Sequence, residues 1–230
     1  QVNSLGHTST SGIKDIDYFI TSDVEPSSSD EQYTEHLIRF SKLPFNYSKP
    51  IINESKIKNK NILNSEKYFN IGLVQTLFKL HPEYDKILEE IVKEIPQSRL
   101  ILIKDKLYSV TEALKDRWRK KNELLLKRSV FLDRMSNNDF INIIKNCDIM
   151  LDPLYYGSGN TFYESMAFGT PFITYKSQKS KIPIAGYKQM KITNQPIASS
   201  KEDYIDWCKL YAMNRDLLSK TKKELKKKAT

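Results

Sequence analysis

The sequence is poor in the residues that staple small secreted domains together. It holds two cysteines in 230 residues, Cys147 and Cys208. Two thiols on separate segments exclude a disulfide scaffold and a four-cysteine zinc site. Reduced thiols make a cytoplasmic location the expectation. Glycine is scarce at seven residues, which excludes collagen-like and glycine-linker classes. No apolar run approaches the roughly 20 residues that a membrane-spanning helix needs. No charged start followed by an apolar stretch marks a signal peptide. The three histidines, His7, His36 and His81, lack paired-carboxylate spacing, so no metal site is expected. The chain begins with Gln rather than Met and reads from its first residues as mid-structure, the expectation for a fragment or a processed chain.

What is present is enough apolar material for a core and a surplus of positive charge. Hydrophobic residues make up 39% and aromatics 11%, which excludes global disorder. The net charge of +9 is concentrated in two places. Residues 220–230 hold six lysines and one Glu, and residues 99–128 hold ten basic and four acidic residues. The lysine tail lacks the interleaved aromatics that stack on single strands. No zinc finger or aromatic RNA-binding strand motif occurs. Both stretches read as solvated helix faces, and a nucleic-acid partner is not expected.

Residues 15–22 alternate and are β-rich, so they predict a strand. Residues 23–30 form an acidic Ser/Pro loop. Residues 31–42 predict a helix, with Ser29 or Asp30 as its N-cap. Residues 44–67 are rich in Asn, Lys and Ser, contain Pro44 and Pro50, and have no period. From 68 onward strands and helices alternate. Strands are predicted at 68–73, 99–104, 129–133, 148–152 and 171–175. Helices are predicted at 83–94, 109–123, 137–146 and 161–168, with Ser136 and Asp139 forming a capping box. A looser segment follows Tyr175, then a helical stretch from 201. This spacing predicts an α/β, Rossmann-like parallel sheet with helices on both faces and ligands at the carboxyl ends of the strands.

The stretch from Asp152 to Pro171, DPLYYGSGNTFYESMAFGTP, carries the chemistry. Gly157 and Gly159 would allow a tight positive-φ turn after a strand. Gly159, Asn160 and Thr161 sit where the next helix starts, so free N–H groups and a positive dipole end offer an anion site. Glu164, on the first turn, could accept hydrogen bonds from a ribose diol. No lysine follows the glycines as in a Walker A loop, and GxGxxG spacing is absent. Read alone, the turn is equally an ordinary strand-to-helix connection.

The run G-x-G-N-T-x-Y-E-x-x-A-x-G-T-P resembles the catalytic region of the O-GlcNAc transferase/SPINDLY-like glycosyltransferases, which have the GT-B fold. GHTSTSG (6–12) with DYFITSD (17–23), QYTEHLIRFSKLP (32–44), FNIGLVQTLFKLHP (69–82) and AGYKQMKI (185–192) resemble further family segments in the same order. The resemblance implies a tail of the N-terminal GT-B domain at 1–45, a linker at 46–67 and a nucleotide-sugar-binding Rossmann-like domain at 68–230. It implies an inverting enzyme that moves GlcNAc from a UDP donor to protein Ser/Thr, with no cofactor or metal. By position, Lys79 matches the lysine that supports departure of UDP. Thr76, with Gln75 adjacent, matches a nucleotide-contacting position. Met135, Ser136 and Asn137 fall in the base-holding loop, Gly159, Asn160 and Thr161 in the phosphate turn, and Glu164 at the ribose carboxylate.

Two departures stand out. A Lys-plus-His pair beside the base is replaced by Asn137 and Phe140. An Arg-rich segment after strand 171–175 is replaced by KSQKSK, with Lys179 and Lys181. The family's proposed catalytic His lies upstream of this chain, and His7 belongs to another motif. Tyr155, Tyr156 and Tyr163 are expected as wall or core residues around the turn. Three other readings stay open: a UDP-glucose-type transferase acting on Asn or a glycan, a non-catalytic nucleotide-sugar-binding or interaction module, and a binder of anionic polymers.

Overall fold

The computed structural model describes all residues except 5, 59–62, 64–65, 177–180 and 230. Two parallel sheets form. The smaller has the order β1 (Val2–Ser4), β2 (Tyr18–Ser22), β3 (His36–Phe40). The larger has six strands: β4 (Phe69–Gly72), β5 (Ser98–Ile103), β6 (Ser129–Leu132), β7 (Ile149–Leu151), β8 (Phe172–Tyr175) and β9 (Ile197–Ala198). Its spatial order is β6-β5-β4-β7-β8-β9, with every pairing parallel. Counted from its own first strand, that is the doubly wound order 3-2-1-4-5-6. The order reverses between β4 and β7, and a crevice opens there at the strands' carboxyl ends.

The strands read as near-continuous apolar runs because both faces are covered. Alternation then sorts side chains between two cores. Leu100 and Leu102 of β5, with Ile149 and Leu151 of β7, face one core. α1 (Pro82–Glu94), α2 (Tyr108–Lys121), α3 (Glu123–Lys127) and α7 (Lys201–Met213) pack there. Ile101 and Met150 face the other core, against α4 (Asn137–Asn146), α5 (Asn160–Phe168), α6 (Ile182–Met190) and α8 (Arg215–Lys228). Most of the lysine tail is the exposed face of α8, whose Leu218 and Leu225 are buried, but Lys222 is partly buried and donates to the Cys147 carbonyl at 2.8 Å. Among the described residues no helix is long and apolar enough to cross a membrane.

Several local expectations are corrected. Residues 31–42 are not a helix. A 3-10 segment at Ser27–Gln32 begins after Pro26, and His36–Phe40 pairs along its whole length with β2. Neither Ser29 nor Asp30 is a cap, since both lie inside that segment. The looser segment after Tyr175 contains α6, with Pro183 in its first turn. Gly186 lies inside α6, where an added Cβ would come within 2.3 Å of the Phe162 ring. Lys179 lies outside the described residues, whereas Lys181 is the residue before α6.

Candidate functional site

The crevice between β4 and β7 gathers most of the candidate residues. After β4 the chain makes one 3-10 turn at Leu77–Lys79. Leu77 and Leu80 are buried in the core, which leaves Lys79 aimed along the sheet edge. Its Nζ donates to the Gly157 carbonyl at 3.1 Å and to Gln75 Oε1 at 3.3 Å. It also sits 4.6 Å from the centroid of the Tyr156 ring, within cation–π range. Burial lowers the Lys79 pKa, and the nearby Asp152 carboxylate opposes that shift.

Asp152 directly follows β7 and is fully buried. Its Oδ1 accepts from the Ser158 backbone N–H at 2.8 Å, and its Oδ2 accepts from Thr174 Oγ1 at 2.8 Å. The carboxylate therefore ties the glycine turn to β8. Burial pushes its pKa up to about 7, against the pull of the Thr174 and Ser158 hydrogen bonds and of Lys79.

The turn's geometry differs from expectation. The glycines with positive φ are Gly12 and Gly169, and Gly159 has φ −109°. Gly159 is instead a place of open space, because an added Cβ would meet nothing within 4 Å. Gly159 precedes α5, and no side chain caps that helix. The amides of Asn160 and Thr161 belong to the donors that a helix start leaves without intrahelical partners. No acidic side chain occupies α5's first turn, so the positive dipole end stays unneutralised there.

A cavity of about 320 Å³ opens at the ends of β4, β5 and β6. Gln75, Thr76, Met135 and Asn137 line it, with Phe140 as a wall. Gln75 links this cavity to Lys79 through its carboxamide oxygen, while its Nε2 is buried without a hydrogen-bond partner. Ser136 is used differently. Its hydroxyl accepts from the Asp139 N–H at 3.2 Å and donates to Asp139 Oδ2 at 2.7 Å, closing the start of α4. Its side chain is thereby committed to the cap.

Glu164 is buried on α5, one residue past the first turn that the sequence predicts for it, since the helix begins at Asn160. Its Oε1 accepts from the Tyr47 hydroxyl at 3.1 Å. Burial raises its pKa, and the Tyr47 bond pulls it back. Sequence reasoning missed Tyr47 altogether, because its partner is 117 residues away. It also passed over Asp152, whose position at the end of a predicted strand was the available signal. His7 lies beside Tyr156, with ring centroids 6.1 Å apart. Tyr155 packs on His81, so both exposed tyrosines act as walls of the turn.

No protein-family profile matches the chain. In sequence it is 24% identical to "Probable UDP-N-acetylglucosamine–peptide N-acetylglucosaminyltransferase SEC" of Arabidopsis thaliana, over 98% of this chain and 24% of that protein. It is 23% identical to the SPINDLY protein of Solanum lycopersicum, over 90% of this chain and 22% of that protein. In structure it superposes on an O-GlcNAc transferase of Thermobaculum terrenum with a TM-score of 0.84 at 22% identity. That likeness covers all of this chain and 44% of the bacterial one. The chain thus spans about a quarter of the length of its curated relatives. In sequence the chain is similar to these SEC and SPINDLY proteins, and its fold is that of GT-B glycosyltransferase structures.

Proposed function

We propose that the chain is the donor-binding part of a glycosyltransferase that moves GlcNAc from a UDP donor to a protein Ser or Thr, with inversion. The observation that carries this is the placement of Lys79. Its ammonium group sits on the Gly157 carbonyl at the β4/β7 reversal, two residues before the uncapped start of α5. The names of the SEC proteins and SPINDLY proteins give UDP-N-acetylglucosamine as donor and peptide as acceptor.

The chemistry follows from charge. When the bond between the sugar's anomeric carbon and UDP breaks, its electron pair stays on the β-phosphate oxygen. A fixed cation and preorganised N–H donors stabilise that charge most where water is excluded. Lys79 and the amides of Asn160 and Thr161 fill these roles. They also supply the positive charge that a divalent ion would otherwise bring. Uracil fits the cavity of Gln75, Thr76, Met135 and Asn137, with Phe140 beside it; Ser136, between two of these residues in the chain, is not among the cavity's lining. Glu164 takes the ribose diol. On this reading residues 1–45 are the end of the N-terminal GT-B domain, 46–67 the linker and 68–230 the nucleotide-sugar domain.

The direct test is ligand-dependent melting of this chain. A ligand at a hundredfold excess over its Kd stabilises by about 2.7 kcal/mol. For a domain of this size that raises Tm by roughly 5–10 °C. UDP and UDP-GlcNAc should both do so in the presence of EDTA. A larger shift with UDP-glucose would move the reading to a glucosyl donor and a different acceptor. No shift with any uridine nucleotide would sink it. Binding without transfer by the full-length polypeptide would leave a non-catalytic module.

A further inference from the structure

The segment between the two sheets does more than connect them. The Leu43 N–H donates to Gln189 Oε1 of α6 at 2.9 Å. The Asn53 and Lys58 N–H groups donate to Asn138 Oδ1 and Asp139 Oδ1 of α4, each at 2.9 Å. Lys145 of α4 pairs with Glu54 at 3.2 Å. The strap is therefore fastened on both sides of α5. Between these anchors Tyr47 lies flat on Tyr163, with ring centroids 5.1 Å apart and planes 14° apart. Stacking of this kind fixes the ring's orientation. Its hydroxyl then reaches Glu164 Oε1 at 3.1 Å.

We propose that Tyr47 is a positioning residue for ribose recognition. From the strap it holds one carboxylate oxygen of Glu164 and leaves the other for the donor's ribose hydroxyls. The inference rests on Glu164 being the ribose acid. An ionised carboxylate offers about four acceptor sites, so one tyrosine bond leaves capacity for a diol. The same bond favours the ionised form that the diol needs, against burial, which favours the neutral acid. Tyr47 stays a donor, since burial and the Glu164 charge both raise its pKa. Because Tyr47 belongs to the segment joining the two sheets, donor recognition becomes coupled to how that segment is seated.

The test compares UDP with 2′,3′-dideoxy-UDP by titration calorimetry on this chain and its variants. The wild-type chain should prefer UDP. Tyr47→Phe keeps the stack and removes only the hydroxyl. It should weaken UDP about tenfold, the scale of one hydrogen bond to a charged group, and leave the dideoxy nucleotide unchanged. The acid-side loss of UDP binding should also move to higher pH. The ionisable groups around Glu164 in that titration are Tyr47 and Tyr163, with Lys49 and Lys228 lining the adjoining cavity. Glu164→Gln should erase the preference for UDP, and adding Tyr47→Phe to it should cost nothing further. Equal weakening of both nucleotides, or none, overturns the role of Tyr47 while UDP binding stands. So does a preference that survives Glu164→Gln. A wild-type chain that ignores UDP overturns both this role and the donor assignment beneath it.

Discussion

Two helices begin at the same edge of the sheet and treat their first turns in opposite ways. α4 starts at Ser136, whose hydroxyl meets the Asp139 N–H while Asp139 supplies a negative charge to the turn. α5 starts at Gly159 with no side-chain cap, no acid in its first turn and open space above it. A helix start left without side-chain partners must find them in water or in a ligand. Where the start also faces a half-buried lysine across the reversal of strand order, an anion satisfies both. The chain thus spends its own polar groups on α4 and reserves those of α5. On the proposed function, that asymmetry would place the donor's phosphates at the start of α5.

The comparison can be broken at α5 or at α4. The largest expected effect is at Lys79. Lys79→Ala in the full-length polypeptide should lower transfer by roughly 10²–10³-fold, measured as initial rate with UDP-GlcNAc, and retained activity would refute the assignment. Next is Gly159→Asp, which gives α5 the acid it lacks. UDP affinity should fall by about tenfold or more, the scale of one charge at a partly buried helix start. Ser136→Ala is the converse experiment at α4. It should cost about 1 kcal/mol of stability, read from denaturant unfolding, with UDP affinity unchanged.

A further effect, on stability alone, is a pH slope from Asp152. Its native pKa of about 7 lies above the ordinary 3.8. Between those values the native chain holds a proton that the unfolded chain has released. Stability from this group is therefore greatest below the lower value and falls as pH rises through the window. Asp152→Asn should flatten that part of the profile in unfolding measurements from pH 4 to 8. An unchanged slope would show that the proton is not held at Asp152.

The larger sheet was legible in the sequence because strands buried on both faces announce themselves as short apolar runs between amphipathic helices. Ser136 and Asp139 were legible as a cap because capping is local. The errors fall where non-local contacts decide. HLIRF carries enough apolar residues for a helix, yet it becomes β3 because β2 offers five residues to pair with. Pro183 and Gly186 argue locally against α6, and the close approach of Phe162 explains why a glycine stands there. At the candidate site, the lysine, the glycine turn and the glutamate were singled out through motif resemblance. Tyr47 belongs to no motif, and only the path of the strap brings it to Glu164.

The strand order has a consequence in time as well as in space. β4 and β7 are neighbours in the sheet, yet Ile71 pairs with Ile149, so the seam closes only after a long intervening chain has been ordered. Loop closure over such distances is slow relative to local helix formation. The crevice is therefore expected to assemble late in folding. A nascent or partly unfolded chain would carry Lys79 and the glycine turn without the seam that joins them. Nucleotide binding would then report completion of the whole sheet.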